Sequence, residues 1–188
     1  EDAIAFTGYG GGLFGSYGYG VARPDTVRIQ PATSWDLSAW GEDLLACNED
    51  DGKIYQWELD TATTAAVLSN APTGNHGIVV TEERFLFALG AGGNPRLVQW
   101  SDREDNNSWT PAATNEAGDL ELNTSGALMK GMTVAGQTLL LTTRDAHVAN
   151  YIGPPYVYGI ERVGTSCGLA AKQAAVVVDR GAFWMGVN

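Results

Sequence analysis

A strand, a short polar turn and two further strands recur along this chain, and that recurrence limits the fold more than any single motif. Trp35–Trp40 is followed by Leu44–Cys47 and Ile54–Trp57; Gly77–Thr81 by Phe85–Ala88 and Leu97–Trp100; Gly131–Val134 by Leu139–Thr142 and His147–Tyr151. A fourth copy runs through Ala174–Val178 and Phe183–Met185. The second strand of each copy opens at residues 44, 85, 139 and 183, at spacings of 41, 54 and 44. All-β units with a period of roughly 40–50 residues cannot bury both faces alone and stack radially, as propeller blades do. The sequence therefore predicts an all-β, propeller-like fold of about three and a half blades, with repeats over about 34–74, 75–127, 128–172 and an incomplete 173–188. A ring needs at least about four blades. The expectation is thus part of a longer polypeptide, or failing that a propeller completed by an adjacent subunit. Otherwise Val176–Val178 and Phe183–Met185 would form an exposed, aggregation-prone edge.

Composition agrees with short strands and tight turns. Glycine occurs 24 times in 188 residues, helix-period segments are scarce, and Gly, Asn and Asp punctuate the apolar runs. No run of about 20 apolar residues predicts a membrane-spanning helix, and no basic, apolar leader is visible. Cys47 lies in a strand of the first repeat and Cys167 in a turn beside the fourth. They are expected as free thiols, buried or half-buried, in a protein assembled in a reducing cytoplasm.

Residues 1–33 differ from the rest. From Gly8 to Gly20 glycine alternates with aromatic residues. The segment reads as an extended arm whose Tyr9, Phe14, Tyr17 and Tyr19 contact another subunit, or as a flexible leader. Thr26–Ile29, between Pro24 and Pro31, is a short candidate strand. Among the repeats, Asn48–Gly52 is a hairpin turn needing a positive φ at Gly52. Residues 90–95 and 143–146 fill the same place in the next two copies. The long link 101–111 leads to an outer strand near Leu120–Asn123, and Gly153–Val157 is a rigid turn before a strand over Tyr158–Val163.

The net charge of −11 is concentrated. Residues 42–121 hold 15 acidic and 4 basic side chains, and the remainder holds 7 of each. Nucleic-acid affinity needs clustered Lys and Arg, so binding of DNA or RNA through this region is not expected. The acids read first as solvated turn residues. Glu42, Asp43, Glu49, Asp50, Asp51, Glu82, Glu83, Asp102, Glu104 and Asp105 read second as one negative surface.

No motif carries chemistry. Gly164–Gly168 matches G-x-S-x-G, but a nucleophile elbow needs a strand–turn–helix, and a strand follows here. Asn48–Tyr55 resembles the Asp-box turn of sialidase-type propellers, departing from it at Asn48 and Tyr55, and lacks the ligand spacing of a calcium loop. His76 and His147 have no Cys, Asp or Glu at ligand spacing. No carboxylate pair is singled out for glycoside hydrolysis. Trp57, Trp100 and Tyr151, at equivalent repeat positions, read as packing between blades. No catalytic residue, metal or cofactor is expected.

The stretch from Trp35 to Gly186 resembles the propeller-bearing tail proteins of tailed bacteriophages, the nozzle or tail-tube-end proteins of short-tailed phages. The resemblance rests on Trp40–Ala46, Asn70–Pro72, Val80–Arg84, Leu89–Arg96, Gln99–Asp102, Trp109–Pro111, Tyr151–Tyr156 and Glu161–Gly168. The arm from Tyr9 to Gly20 resembles the region ahead of the propeller in such proteins, which are usually much longer. The resemblance implies a non-enzymatic virion structural protein, assembled in the host bacterial cytoplasm. Copies in a ring would dock adaptor or tail proteins around the DNA exit channel, away from membranes. DNA would pass the acidic surface without specific binding. The competing expectations are a propeller-type glycosidase or sialidase and a lectin-like glycan-binding module.

Overall fold

The structure, a computed structural model, describes residues 34–179 and 181–186. The chain divides into two units, Glu1–Thr33 and Ser34–Asn188, and all described residues belong to the second. The arm aromatics Tyr9, Phe14, Tyr17 and Tyr19 and the candidate strand Thr26–Ile29 lie outside the described residues.

The second unit is all-β. Its first antiparallel sheet runs β1 (Trp35–Trp40), β2 (Asp43–Asn48), β3 (Ile54–Trp57) and β4 (Ala66–Val67). The second sheet runs β5 (Gly77–Val80), β6 (Leu86–Leu89), β7 (Leu97–Trp100) and β8 (Gly118–Glu121). The third runs β9 (Leu128–Val134), β10 (Gln137–Thr142), β11 (Asp145–Gly153) and β12 (Val157–Thr165). A hairpin of β13 (Ala175–Val178) and β14 (Gly181–Trp184) follows. Within each sheet every strand pairs with its sequence neighbour, so each sheet is a meander whose alternate turns fall at opposite ends.

Several boundaries differ from the expectation. The strand expected from Phe85 opens at Leu86, because Phe85 closes a tight turn: its N–H donates to Thr81 Oγ1 and its carbonyl accepts the Thr81 N–H. The turn expected over 143–146 is shorter, since Asp145 and Ala146 already pair with Thr165 and Gly164. The outer strand expected near Leu120–Asn123 sits at Gly118–Glu121, and β4, only two residues long, left no periodic trace. The hairpin turn at Gly52 has the expected positive φ, 62°.

The sheets stack through their faces, with β5 between β1 and β9. Leu45, Cys47 and Ile54 of the first sheet meet Ile78, Leu86 and Ala88 of the second. The opposite face of the second sheet gives Val79, Phe87, Val98 and Trp100 to Leu140, Ala149 and Tyr158 of the third. The third sheet's remaining face, with Met132, Leu139 and Leu141, packs on Ala175, Ala182 and Trp184 of the hairpin. Period-two alternation produces this layering, because successive side chains of a strand serve opposite interfaces. The strand order is consistent with consecutive propeller-like blades, and the described sheets form an open series.

Candidate functional site

The first strands of the three sheets run side by side without a backbone ladder, so each carries an edge of unpaired N–H and C=O groups. Polar side chains of the neighbouring strands answer them. Asp36 Oδ2 accepts the Ile78 N–H at 3.3 Å, and two residues on Ser38 Oγ accepts the Val80 N–H at 3.3 Å. From the other side the Thr133 hydroxyl donates to the Val80 carbonyl at 2.9 Å. Two glycines permit the approach. A Cβ at Gly77 would lie 2.3 Å from Asp36 Oδ2, and one at Gly131 would lie 2.5 Å from Val79 Cγ1. A groove of about 440 Å³ follows these strands, lined by Trp35, Leu37, Ser38, Lys130, Thr133 and Gln173 among others.

Asp36, which lines that groove, belongs to a charged cluster. Lys172, on the connector between β12 and β13, is buried; its Nζ lies 3.8 Å from Asp36 Oδ2 and 3.7 Å from Glu49 Oε2, and donates to the His76 carbonyl. Burial pushes the Asp36 carboxyl above its ordinary range, and the Lys172 ammonium only partly offsets that. Burial likewise pushes the nearby Cys47 thiol up to about 12, so it stays protonated and unreactive. Sequence reasoning missed this cluster. Its signal was a lone Lys in the small-residue run Ala170–Ala175 and an Asp inside a strand.

A second polar cluster surrounds Asp145. The hydroxyls of Thr124 and Thr142 donate to its carboxylate, and the Thr142 hydroxyl in turn accepts the Asp145 N–H at 2.9 Å. His147 Nε2 stands 3.2 Å from Oδ1 without a well-aligned hydrogen bond. Arg162 reaches Oδ2 at 3.8 Å from the partly exposed side. Burial raises the Asp145 carboxyl, but the two hydroxyls and His147 outweigh it and hold the group below the usual carboxylate range. Beside it lies an open cavity of about 670 Å³ lined by Arg144, Arg162, Thr165 and Ser166 among others. The G-x-S-x-G turn falls here. β12 precedes it, no helix follows, Ser166 has a φ of 55° and makes no hydrogen bond to either histidine, and the His147 ring faces Asp145. The Asp145 cluster fastens the β10–β11 turn to the connector before β9.

The ten acids fall at two ends of the sheets. Glu42 and Asp43 lie at the β1–β2 turn, Glu82 and Glu83 at the β5–β6 turn, and Asp102, Glu104 and Asp105 after β7, all at one end. The Glu104 N–H donates to the Arg84 carbonyl, joining the last two groups. Glu49, Asp50 and Asp51 stand at the opposite end, in the β2–β3 turn. None of the ten is on a first strand. Several close their own turns: Asp51 accepts from Tyr55 Oη at 2.6 Å and from the Lys53 N–H, and Asp102 from the N–H groups of Arg103 and Glu116. Others join elements, Asp43 accepting from Gln56 and Glu83 from the Tyr158 hydroxyl. Arg84, from the β5–β6 turn, stacks 5.2 Å from the Trp40 ring, joining two segments on which the resemblance rests.

Trp100 and Tyr151 pack around Tyr158 with Phe85 and Phe87, at ring separations of 4.8–5.8 Å. Trp57 instead stands on the uncovered face of the first sheet and donates to the Asp60 carbonyl. Both cysteines are free, Cys47 buried and Cys167 half-buried. Among the described residues no group of three or more His, Cys, Asp or Glu is placed to hold a metal ion, and no helix is long and apolar enough to cross a membrane. Comparison with protein-family models and with curated proteins finds no match for this chain.

Proposed function

We propose that this chain is a non-catalytic structural component of a bacteriophage tail, of the nozzle or tail-tube-end kind, and that its sheets are blades of a β-propeller. The observation that carries the reading is how its buried and half-buried polar groups are used. Asp36, Ser38 and Thr133 fasten neighbouring first strands, and Asp145 fastens a turn. Such wiring suits a part that must keep its shape under load. The segments that resemble phage tail proteins are mainly turns and strand ends of the sheets.

In this reading copies stand in a ring and dock other tail proteins. The end of the sheets bearing Glu42, Asp43, Glu82, Glu83, Asp102, Glu104 and Asp105 contributes a negative surface near the path of the DNA. Like charge keeps phosphate from adhering and lets the genome slide. Antiserum against residues 34–186 tests the assignment on purified particles of a phage encoding the chain. Gold label at the distal end of the tail is expected. Protein found in infected-cell lysate but missing from purified particles would overturn it, and turnover of a glycoside panel would favour the enzyme reading.

A further inference from the structure

The two ends of the sheet series expose matching apolar faces. On the first sheet, Trp35, Leu37, Leu44, Tyr55 and Val67 share the face away from the second sheet. Trp35 and Leu37 are 45% and 63% exposed, and the Trp35 and Tyr55 rings stand 5.8 Å apart. At the other end, Ala175, Ala182 and Trp184 of the hairpin pack on the third sheet, which turns Val176, Val178 and Phe183 outward. Phe183 is 67% exposed. Contiguous apolar surface of this kind marks an interaction site.

We propose that these two faces are the halves of one interface, and that a second copy of this chain supplies the missing half, hairpin face against first-sheet face. Three observations support the pairing. The same face-to-face contact is made three times among the described residues, and at each the leading face of one sheet meets the trailing face of the next. The exposed hairpin row is the leading kind and the exposed row of the first sheet the trailing kind, so their apposition continues an existing series. Charge also complements: residues 34–67 carry 8 acids and 1 Lys, whereas residues 122–188 carry 3 acids and 5 basic residues. Opposite charge favours the head-to-tail encounter over the two like-with-like ones. The contact is heterologous, so it propagates until a ring closes or a filament forms. The inference rests on reading the sheets as one radial series and is independent of the tail assignment.

Sedimentation velocity of the 188-residue chain tests it, over roughly 1–100 μM. The chain is expected to associate with rising concentration. Leu37→Asp and Phe183→Asp each place a charge in the contact and are expected to weaken association by about 100-fold or more. Both positions face solvent, so circular dichroism and melting should show the fold retained. Mixed one to one, the two variants should form dimers and stop there, since each keeps the face the other has lost. A chain that stays monomeric throughout overturns the proposal and hands these faces to another occupant, such as a further sheet of a longer polypeptide. Association that survives both substitutions also overturns it, in favour of strand pairing at the open edge of β14.

Discussion

The Thr133 hydroxyl donates to the Val80 carbonyl across 2.9 Å, while the N–H of Val80 is held by Ser38 of the opposite neighbour. One residue of the second sheet is thereby fastened to both the first and the third. Side chains here replace the backbone ladder that parallel first strands lack. A hydrogen bond of this type contributes about 1 kcal/mol net, and Ser38→Ala and Thr133→Val should each cost about that much in urea unfolding. Because both act on Val80, the double variant should depart from additivity. Losses that simply add would mean that the two contacts act independently.

The aromatic cluster between the second and third sheets should dominate stability. Phe87 is fully buried and stands 4.8 Å from the Tyr158 ring. Phe87→Ala leaves a cavity and should cost about 3–5 kcal/mol. Tyr158→Phe keeps the ring but loses the hydroxyl that meets Thr81 Oγ1 and donates to Glu83, and should cost about 1 kcal/mol. Thermal or urea melts would read both, and comparable losses would mean that the hydroxyl contributes as much as the packing.

Asp145 makes a prediction about acid. Its carboxyl is held below the usual range, so the folded state binds its proton later than the unfolded state does. The stability it contributes is therefore present above the ordinary aspartate pKa of about 3.9 and is lost as pH falls through the folded value. Asp145→Asn should be less stable than the native chain by about 2 kcal/mol near neutrality, because bonds to a charged acceptor are the stronger ones. That gap should stay level down to about pH 5 and close below about pH 4. A gap unchanged at low pH would assign the role to shape and not to charge.

The two thiols should separate by reactivity. Cys47 is buried, with its pKa pushed up to about 12, whereas Cys167 is half-buried in a turn. A thiol-reactive dye should modify one cysteine in the native chain and both in denaturant, and peptide mapping should identify the first as Cys167. Equal rates at both would contradict the packing of Cys47 against Ile54 and Ile78.

Much of this fold was legible because apolar runs such as Leu139–Thr142 and Ile54–Trp57 are bounded by turn residues that end strands. The ties between sheets were not legible. In Trp35-Asp36-Leu37-Ser38, alternation alone sends Trp35 and Leu37 inward and Asp36 and Ser38 to solvent. The structure reverses this: Asp36 is buried to meet the open edge of β5, and Leu37 faces out. A strand with a partner sheet on only one side has two apolar-capable faces, and the pattern within it cannot say which is covered. The acids were readable as turn residues. Their division between two ends follows from the meander, which sequence spacing does not reveal.

Lys172 offers the sharpest test, because it balances a charge that burial opposes. The Asp36 carboxyl is raised by burial, with Lys172 as its main counterweight. Lys172→Met leaves Asp36 buried without that counterweight, a change that typically costs about 3–5 kcal/mol. A carboxyl whose folded pKa is raised contributes stability below its unfolded pKa, and that contribution is lost as pH rises through the folded value. Removing the lysine raises the folded value further. The penalty of Lys172→Met should therefore be largest at neutral pH and should shrink as pH falls toward the ordinary carboxylate range. Asp36→Asn in the same chain keeps an oxygen for the Ile78 N–H and removes the buried charge, so the double variant should recover most of the neutral-pH loss. Urea unfolding of the four chains at neutral and mildly acid pH measures this. If Lys172→Met costs the same at both, or the second substitution recovers nothing, then Lys172 holds the β12–β13 connector by its packed stem and its bond to the His76 carbonyl, and its charge on Asp36 is incidental.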